Sequence, residues 1–277
     1  MKQFSIIGHP ISHSLSPILH NKVFRELRLN AHFSSIDVHD IQLDKFIDEI
    51  KQHNLSGFNI TLPHKNSILP LLDDINIKAQ QINAVNCVVN KNEHLIGYNT
   101  DWYGFSMLLK KNNISIKDKT VIIIGAGGVA QAIVYSLLRE GAGLINIVNR
   151  TYNNASKLIN HFENDKLQIV PIDKIGAYLH QNVIIINCTS VGLMNSKNQS
   201  PFPYNLISEN HTLIDTIYTP IKTQFLLDGE TAGATTINGI DMFIYQAFAS
   251  LNLWFGEPIS NRVNFDKLKQ YILGHLK

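Results

Sequence analysis

The sequence predicts an α/β fold in two parts, a mainly parallel α/β domain at the N-terminus followed by a doubly wound parallel domain. Three observations point there. Short β-branched runs alternate with stretches of helical period along the whole chain, the pattern of strand–helix–strand units. One run, Thr120–Ile124, is apolar at nearly every position, as a parallel strand buried on both faces requires. The 277 residues suit about two domains at ~150 residues each.

In order, Phe4–Ile7 reads as a strand. Ser16-Pro17 opens a helix, with Ser16 as N-cap and Pro17 at the first helical position. Ile18, Leu19, Val23, Phe24 and Leu27 recur on it at helical spacing. His32–Val38 alternates as a strand, and Leu43–His53 is helical with Leu43, Phe46, Ile47 and Ile50 on one face. Gly57–Thr61 is a strand ending at Leu62-Pro63. Ala84–Asn90 and His94–Asn99 form a hairpin around Lys91-Asn92-Glu93, and Asp101 caps the next helix or lies in its first turn. After Thr120–Ile124 comes a glycine-rich turn and a helix from Val129 to about Glu140. Leu144–Val148, Leu167–Pro171, Val183–Cys188 and Leu213–Thr216 are further strands with helices between. Met242–Phe255 is a strongly apolar helix and Phe265–Leu276 an amphipathic one. The boundaries expected are residues 1–103, completed by C-terminal helices in 240–277, for the first domain, and 104–239 for the second.

Composition removes several classes of function. Charged residues are 17%, below the usual ~25%, and hydrophobic residues are 44%, so disorder is not the main state. Net charge is +2 and no basic run reaches five residues, so a nucleic-acid partner is not expected. No apolar stretch approaches the ~18 residues of a membrane span, and no long apolar run follows the N-terminus as in a signal peptide. Cys87 and Cys188 sit far apart in apolar runs, which reads as buried reduced thiols in a cytoplasmic protein. His9 and His13 are four apart but straddle Pro10, and the twelve histidines show no zinc-like spacing, so no metal is expected.

The strand Val121–Ile124 runs directly into Gly125-Ala126-Gly127-Gly128-Val129-Ala130, with a helix behind it. That context turns a weak glycine string into a Rossmann-type dinucleotide turn. Gly125 permits the tight turn, and Gly127 lets backbone amides approach a pyrophosphate at the positive helix end. Ala130 stands at the third glycine position, which serves only close helix–strand packing. Roughly 20 residues on, where an NAD site places Asp or Glu on the ribose, the chain reads Asn149-Arg150-Thr151. No carboxylate is there to repel a 2′-phosphate, and a guanidinium is available to pair with it, so NADP is favoured over NAD. Oxidation of an alcohol by such a cofactor needs a proton acceptor. Lys65, just past a strand end, and Asp101, at a strand-to-helix junction, are candidates. A surface lysine and a helix-capping aspartate is the competing reading. His64 stands beside Lys65 and bears on it by proximity only.

Several motifs in order then resemble the shikimate dehydrogenase family. They are Ser12-His13-Ser14-Leu15-Ser16-Pro17, Asn59-Ile60-Thr61-Leu62-Pro63-His64-Lys65, Asn83-Ala84-Val85-Asn86 and Gly97-Tyr98-Asn99-Thr100-Asp101. Gly125–Ala130, Asn149-Arg150-Thr151, Asn187-Cys188-Thr189-Ser190-Val191-Gly192 and Gln246-Ala247 continue the set, which spans nearly the whole chain. The resemblance implies reversible NADPH-dependent reduction of 3-dehydroshikimate to shikimate, in chorismate and aromatic amino-acid biosynthesis. It implies Lys65 and Asp101 as the catalytic pair. Ser14 and Ser16 would bind the substrate carboxylate with Tyr218 nearby, and Thr61, Asn86 and Gln246 the ring hydroxyls. Gly125, Ala126, Gly127, Gly128, Val129, Ala130, Asn149, Arg150 and Thr151 would hold NADP, with Thr189, Thr216 and Gly239 on the nicotinamide side. The partner expected is this small-molecule substrate; the oligomeric state stays open. Three other readings stand beside it: a quinate/shikimate dehydrogenase of the same fold, a dehydrogenase acting on folate-linked carbon, and a non-catalytic NADP-sensing protein.

Overall fold

A computed structural model describes residues 1–50, 54–180, 182–193 and 196–276. Its contacts divide the chain into two units, Met1–Gly104 with Ile244–His275, and Phe105–Phe243.

The first unit is built on six strands: β1 (Lys2–Gly8), β2 (Ala31–Asp37), β3 (Leu55–Ile60), β4 (Asp74–Ile75), β5 (Cys87–Lys91) and β6 (His94–Tyr98). Their order is β2-β1-β3-β5-β6-β4. β2, β1 and β3 are parallel, β5 is antiparallel to both neighbours, and β4 is parallel to β6. The sheet is therefore mixed, with its parallel character in the first half. The reason is local. Asn92 and Glu93 both hold positive φ, so two residues reverse the chain and β5 and β6 close as a tight hairpin.

Helix α1 (Ser16–Glu26) starts one residue earlier than expected: Leu15 holds the N-cap position and Ser16 is the first helical residue. Ser16 is thus no cap; the Ser14 hydroxyl instead accepts the Ser16 N–H at 3.3 Å. A 3₁₀ turn at Asp40–Gln42 leads into α2 (Leu43–Glu49), which is shorter than expected, and residues 51–53 of the anticipated helix lie outside the described residues. α3 (Ile77–Ile82) and α4 (Asp101–Lys111) follow.

The second unit contains β7 (Thr120–Ile124), α5 (Gly128–Arg139), β8 (Leu144–Val148), α6 (Tyr152–Phe162), β9 (Leu167–Ile169), β10 (Ile184–Asn187), β11 (Thr212–Asp215), α7 (Gln224–Thr231) and β12 (Thr235–Ile237). All its strand pairs are parallel, in the order β9-β8-β7-β10-β11-β12. This is the doubly wound order of dinucleotide-binding folds, and its direction reverses between β7 and β10, where ligands of such sheets bind. Alternate residues of β7 feed two cores: Val121 and Ile123 join Ile145, Ile147 and Ile186 on one face, while Ile122 and Ile124 join Ile185 and Leu213 on the other.

The helices expected after β9 and β10 are corrected by the structure. The segment after β9 is a 3₁₀ helix, Ile172–Tyr178, which follows Pro171 and contains Gly176. The segment after β10 has a 3₁₀ turn at Tyr204–Leu206 behind Pro201 and Pro203. Proline before and glycine within such segments oppose α-helical propagation. Of the Met194–Pro201 loop, Met194 and Asn195 lie outside the described residues.

Two helices end the chain, α8 (Ile240–Phe255) and α9 (Phe265–Leu273). Trp254 of α8 stacks on Phe4 with centroids 4.7 Å apart, and its indole N–H donates to the Val88 carbonyl at 2.9 Å.

Candidate active site

The first unit gathers a buried polar network at the ends of its central strands. Lys65 lies in the loop after β3, and its carbonyl accepts the Val85 N–H at 2.8 Å, which ties that loop to the chain entering β5. Asp101 is the first residue of α4 rather than its cap. The cap is Asn99, whose side-chain oxygen accepts the N–H groups of Asp101 (3.0 Å) and Trp102 (3.4 Å). With its backbone held, Asp101 presents Oδ2 to Lys65 Nζ at 2.6 Å, both side chains being over nine-tenths buried. Its other oxygen accepts from Asn86 Nδ2 at 2.8 Å.

Asn86 is buried and fully engaged. Its Nδ2 also donates to Thr100 Oγ1 at 2.9 Å, and its Oδ1 accepts the Thr100 N–H at 2.6 Å. Gln246 of α8 brings Oε1 within 3.5 Å of Asn86 Nδ2. Lys65, Asp101, Asn86 and Gln246, far apart in sequence, therefore meet in one place. Thr61 is half-buried at the start of the Lys65 loop, its N–H on the Ile7 carbonyl at 2.9 Å. Ser14, half-buried, lies in the loop between β1 and α1, and Ser16, buried, is the first residue of α1. Among the described residues neither has a hydrogen bond to the Lys65 network. Members that sequence reasoning did not single out are Asn59, Asn99, Thr100 and Ser250. The first three stand inside motif strings, but nothing local distinguishes Ser250 from any small residue in an apolar helix.

The second unit carries the glycine turn. Gly125 has φ +112°, and a Cβ there would press on the Cys188 carbonyl, so only glycine suits it. Gly127 is the exposed N-cap of α5, and a Cβ on it would meet nothing within 4 Å. The space over the helix N-terminus is thus open to a diphosphate, while Ala130 is fully buried behind it. Ala126 and Val129 are half-buried and Gly128 is buried. At the end of β8, Asn149 donates to the Thr151 carbonyl at 2.7 Å, Thr151 precedes α6, and Arg150 is exposed with no ion pair among the described residues. A free guanidinium without a neighbouring carboxylate in that turn fits a 2′-phosphate. On these observations the residues present fit NADP.

The paired ends of β10 and β11 shape the next loops. Asn187 donates to Asp215 at 3.1 Å, and its oxygen accepts from the Thr189 N–H (3.0 Å) and hydroxyl (2.7 Å). Asp215 also accepts from Thr223 Oγ1 at 2.6 Å and the Ile217 N–H at 2.9 Å. Burial outweighs these bonds and lifts its carboxyl to about 6. Gly239 lies against the Thr216 carbonyl so closely that a Cβ would collide with it. Tyr218, in this second unit, stacks on Phe243 at 4.4 Å, and desolvation raises its phenol to about 12.

His64 does not join Lys65. Its buried ring donates Nε2–H to the Val38 carbonyl at 2.6 Å. His9, Asp37 and His39 come together at the surface. The two imidazoles lie with centroids 3.6 Å apart at a 34° tilt, and His9 Nδ1 is 3.0 Å from Asp37 Oδ1. Burial raises both Cys87, to about 12, and Cys188, which keeps these free thiols neutral and unreactive.

Two family models match the chain: the shikimate dehydrogenase substrate binding domain over residues 6–88, and shikimate / quinate 5-dehydrogenase over residues 107–200. The chain belongs to the shikimate dehydrogenase family. A curated relative from Caldicellulosiruptor saccharolyticus, named shikimate dehydrogenase (NADP(+)), is 39% identical over 259 residues, 92% of each chain. A solved shikimate 5-dehydrogenase from Thermus thermophilus, in complex with NADP(H) and shikimate, is 31% identical with a TM-score of 0.84 over 98% of both chains. A quinate dehydrogenase from Corynebacterium glutamicum in complex with NAD is 25% identical with a TM-score of 0.86 over 99% of both. The doubly wound dinucleotide fold and the NADP-type turn of this chain are those of an oxidoreductase of this family. No helix among the described residues is long and apolar enough to cross a membrane.

Proposed function

We propose that this chain catalyses the reversible, NADPH-dependent reduction of 3-dehydroshikimate to shikimate, within chorismate and aromatic amino-acid biosynthesis. Family membership gives the reaction class. The observation that carries the residue assignment is the buried Lys65–Asp101 pair, 2.6 Å apart and held by Asn86. Lys65 and Asp101 are the catalytic pair. In the reduction the Lys65 ammonium gives its proton to the carbonyl oxygen as the hydride reaches the ring carbon. In shikimate oxidation the neutral amine takes the hydroxyl proton and becomes the ammonium, and Asp101 orients the nitrogen in both directions. When bound, NADP supplies the acceptor for the ring hydride. Asn86, Thr61 and Gln246 hold ring hydroxyls, since amides and hydroxyls offer both donors and acceptors. Ser14 and Ser16, with Tyr218, hold the carboxylate by neutral hydrogen bonds. Residues 125–130 cradle the pyrophosphate, Asn149, Arg150 and Thr151 the adenosine 2′-phosphate, and Thr189, Thr216 and Gly239 the nicotinamide. In this reading residues 1–103 with 240–277 form the substrate domain and 104–239 the cofactor domain. The two free cysteines, Cys87 buried and Cys188 half-buried, support a reducing, cytoplasmic setting.

The test is absorbance at 340 nm with shikimate or quinate and either cofactor. Rapid NADP reduction by shikimate, with slow reaction on quinate and NAD, is expected. Equal turnover of quinate with NAD would favour the quinate reading, which the second family model keeps in view. Tight NADPH binding with no turnover on either substrate would favour a sensor.

A further inference from the structure

Ser250 is fully buried on α8, one turn beyond Gln246. Its oxygen is a junction of the polar network. It lies 3.0 Å from Asn59 Nδ2, 3.2 Å from Thr100 Oγ1 and 3.1 Å from the Gln246 carbonyl oxygen. The Cys87 thiol, a weaker donor, also faces it.

The donors and acceptors allow one consistent direction. The Asn59 amide nitrogen can only donate, and it gives one N–H to Ser250 and the other to the Asn86 carbonyl at 3.0 Å. The Gln246 carbonyl can only accept, so it takes the Ser250 hydroxyl proton. Ser250 then has a lone pair for the Thr100 hydroxyl. Thr100 Oγ1, with its proton committed, is an acceptor for Asn86 Nδ2 at 2.9 Å. The second Asn86 N–H goes to Asp101 Oδ1 at 2.8 Å. Read from the far end, each link sets the orientation of the next until the Asn86 amide is fixed with its nitrogen toward Asp101. The competing arrangement is close at hand: Thr100 Oγ1 is 3.2 Å from Asn86 Oδ1 and 3.5 Å from Gln246 Oε1.

We propose that Ser250 is a positioning residue for the reaction, holding the Thr100 hydroxyl so that Asn86 keeps its N–H groups on Thr100 and Asp101 and the carboxylate stays aimed at Lys65. This rests on the proposed function. Ser250 touches none of the reacting groups itself; it acts through Thr100 and Asn59. Without its oxygen, Thr100 turns to Asn86 Oδ1, one Asn59 N–H is orphaned in a buried place, and Asn86 loses its fixed orientation.

The experiment measures shikimate-dependent NADP reduction in the intact protein carrying Ser250→Ala, Thr100→Val, or both, with rates normalised to the NADP-binding fraction. Ser250→Ala is expected to lower kcat about 5- to 30-fold, the effect of one to two lost buried hydrogen bonds, and to leave the KM for NADP unchanged. The double variant is expected to lose no more than the worse single one, because both substitutions break the same link. Ser250→Cys preserves shape but offers only a weak donor and acceptor, and it is expected to match the alanine variant; it decides the matter if the alanine variant fails to fold. A kcat within about twofold of the parent for the folded variant, or fully multiplicative losses in the double variant, would overturn the proposal. A parent protein inactive on shikimate would instead defeat the proposed function, so the two failures are distinct.

Discussion

Lys65 and Asp101 neutralise one another in a place largely closed to water, and that closure shapes what their removal does. Deleting the ammonium leaves a buried carboxylate with the Asn86 amide as its side-chain donor, and breaking such pairs typically costs ~3–5 kcal/mol. Lys65→Met, which keeps the stem's packing, is therefore the variant of choice. Turnover is expected to fall by about 10² to 10⁴, the usual worth of a positioned acid–base group, while shikimate binding measured by calorimetry changes far less. Near-normal turnover with much weaker binding would make Lys65 a binding residue. His20 makes a different use of burial. It stacks on Phe33 at 4.3 Å, is wholly enclosed, and desolvation lowers its pKa to about 3. Between that value and 6.5 the unfolded chain binds a proton that the folded chain refuses, so stability rises with pH through this window and is lost as pH falls. The loss from His20 is about 1.4 kcal/mol per pH unit, and urea midpoints at pH 7 and pH 5 should differ accordingly. His20→Phe, of similar shape and without the proton site, is expected to flatten that dependence. An unchanged slope would place the acid sensitivity in other groups.

At the scale of elements, what the sequence disclosed follows the length and regularity of each signal. Thr120–Ile124 was legible because a strand buried on both faces must be apolar throughout, and the glycine turn because Gly125 holds a backbone that other residues avoid. β4, β12 and α3 escaped notice: two, three and six residues are too few to show a period. Ser14 took the capping task expected of Ser16, and of the two places open to Asp101, cap or first turn, the structure has the first turn, with Asn99 accepting its N–H. Polar residues a step or two apart compete for the same N–H groups and only the backbone path decides. Ser250 and the Asn187–Asp215 pair were illegible because their meaning lies in partners far away along the chain. Gly57 belongs with these. In sequence it is a weak point in a strand, yet a Cβ on it would collide with the Trp254 indole and the Val88 carbonyl. The missing side chain lets α8 dock on β3 and β5 with the indole N–H on Val88. Gly57→Ala is expected to cost about 1–3 kcal/mol through overpacking and the strained hydrogen bond, read as a Tm lower by several degrees. An unchanged Tm would show that Trp254 is free to shift.

At the scale of the whole molecule, each unit has its own sheet and core, and the candidate residues divide between them by chemistry with one exception, Tyr218, which is assigned to the substrate carboxylate and lies in the second unit. Lys65, Asp101, Asn86, Gln246, Thr61, Ser14 and Ser16 lie in the first unit, and the glycine turn with Arg150 lies in the second. Substrate grip and cofactor grip should then be separable by mutation. Arg150→Ala removes an exposed guanidinium and no ion pair among the described residues, so folding is little affected. A charge-assisted bond to a phosphate is worth ~1.5–3 kcal/mol, so NADP should bind roughly 10- to 100-fold more weakly. NAD, which lacks that phosphate, should bind as before. Ser14→Ala and Ser16→Ala should each raise the shikimate KM, with about 1–3 kcal/mol at stake in a bond to a carboxylate, and leave NADP affinity intact. Ser14→Ala also loses the acceptor of the Ser16 N–H, so its Tm should fall slightly while that of Ser16→Ala holds. Thermal shifts read both arms in one assay, because a ligand at about 100 times its Kd stabilises by about 2.7 kcal/mol. At fixed ligand concentration the NADP shift should shrink only in Arg150→Ala, and the shikimate shift only in the serine variants. Loss of both shifts in either class would mean that the two grips are coupled through the fold, and the division of roles between the units would have to be abandoned.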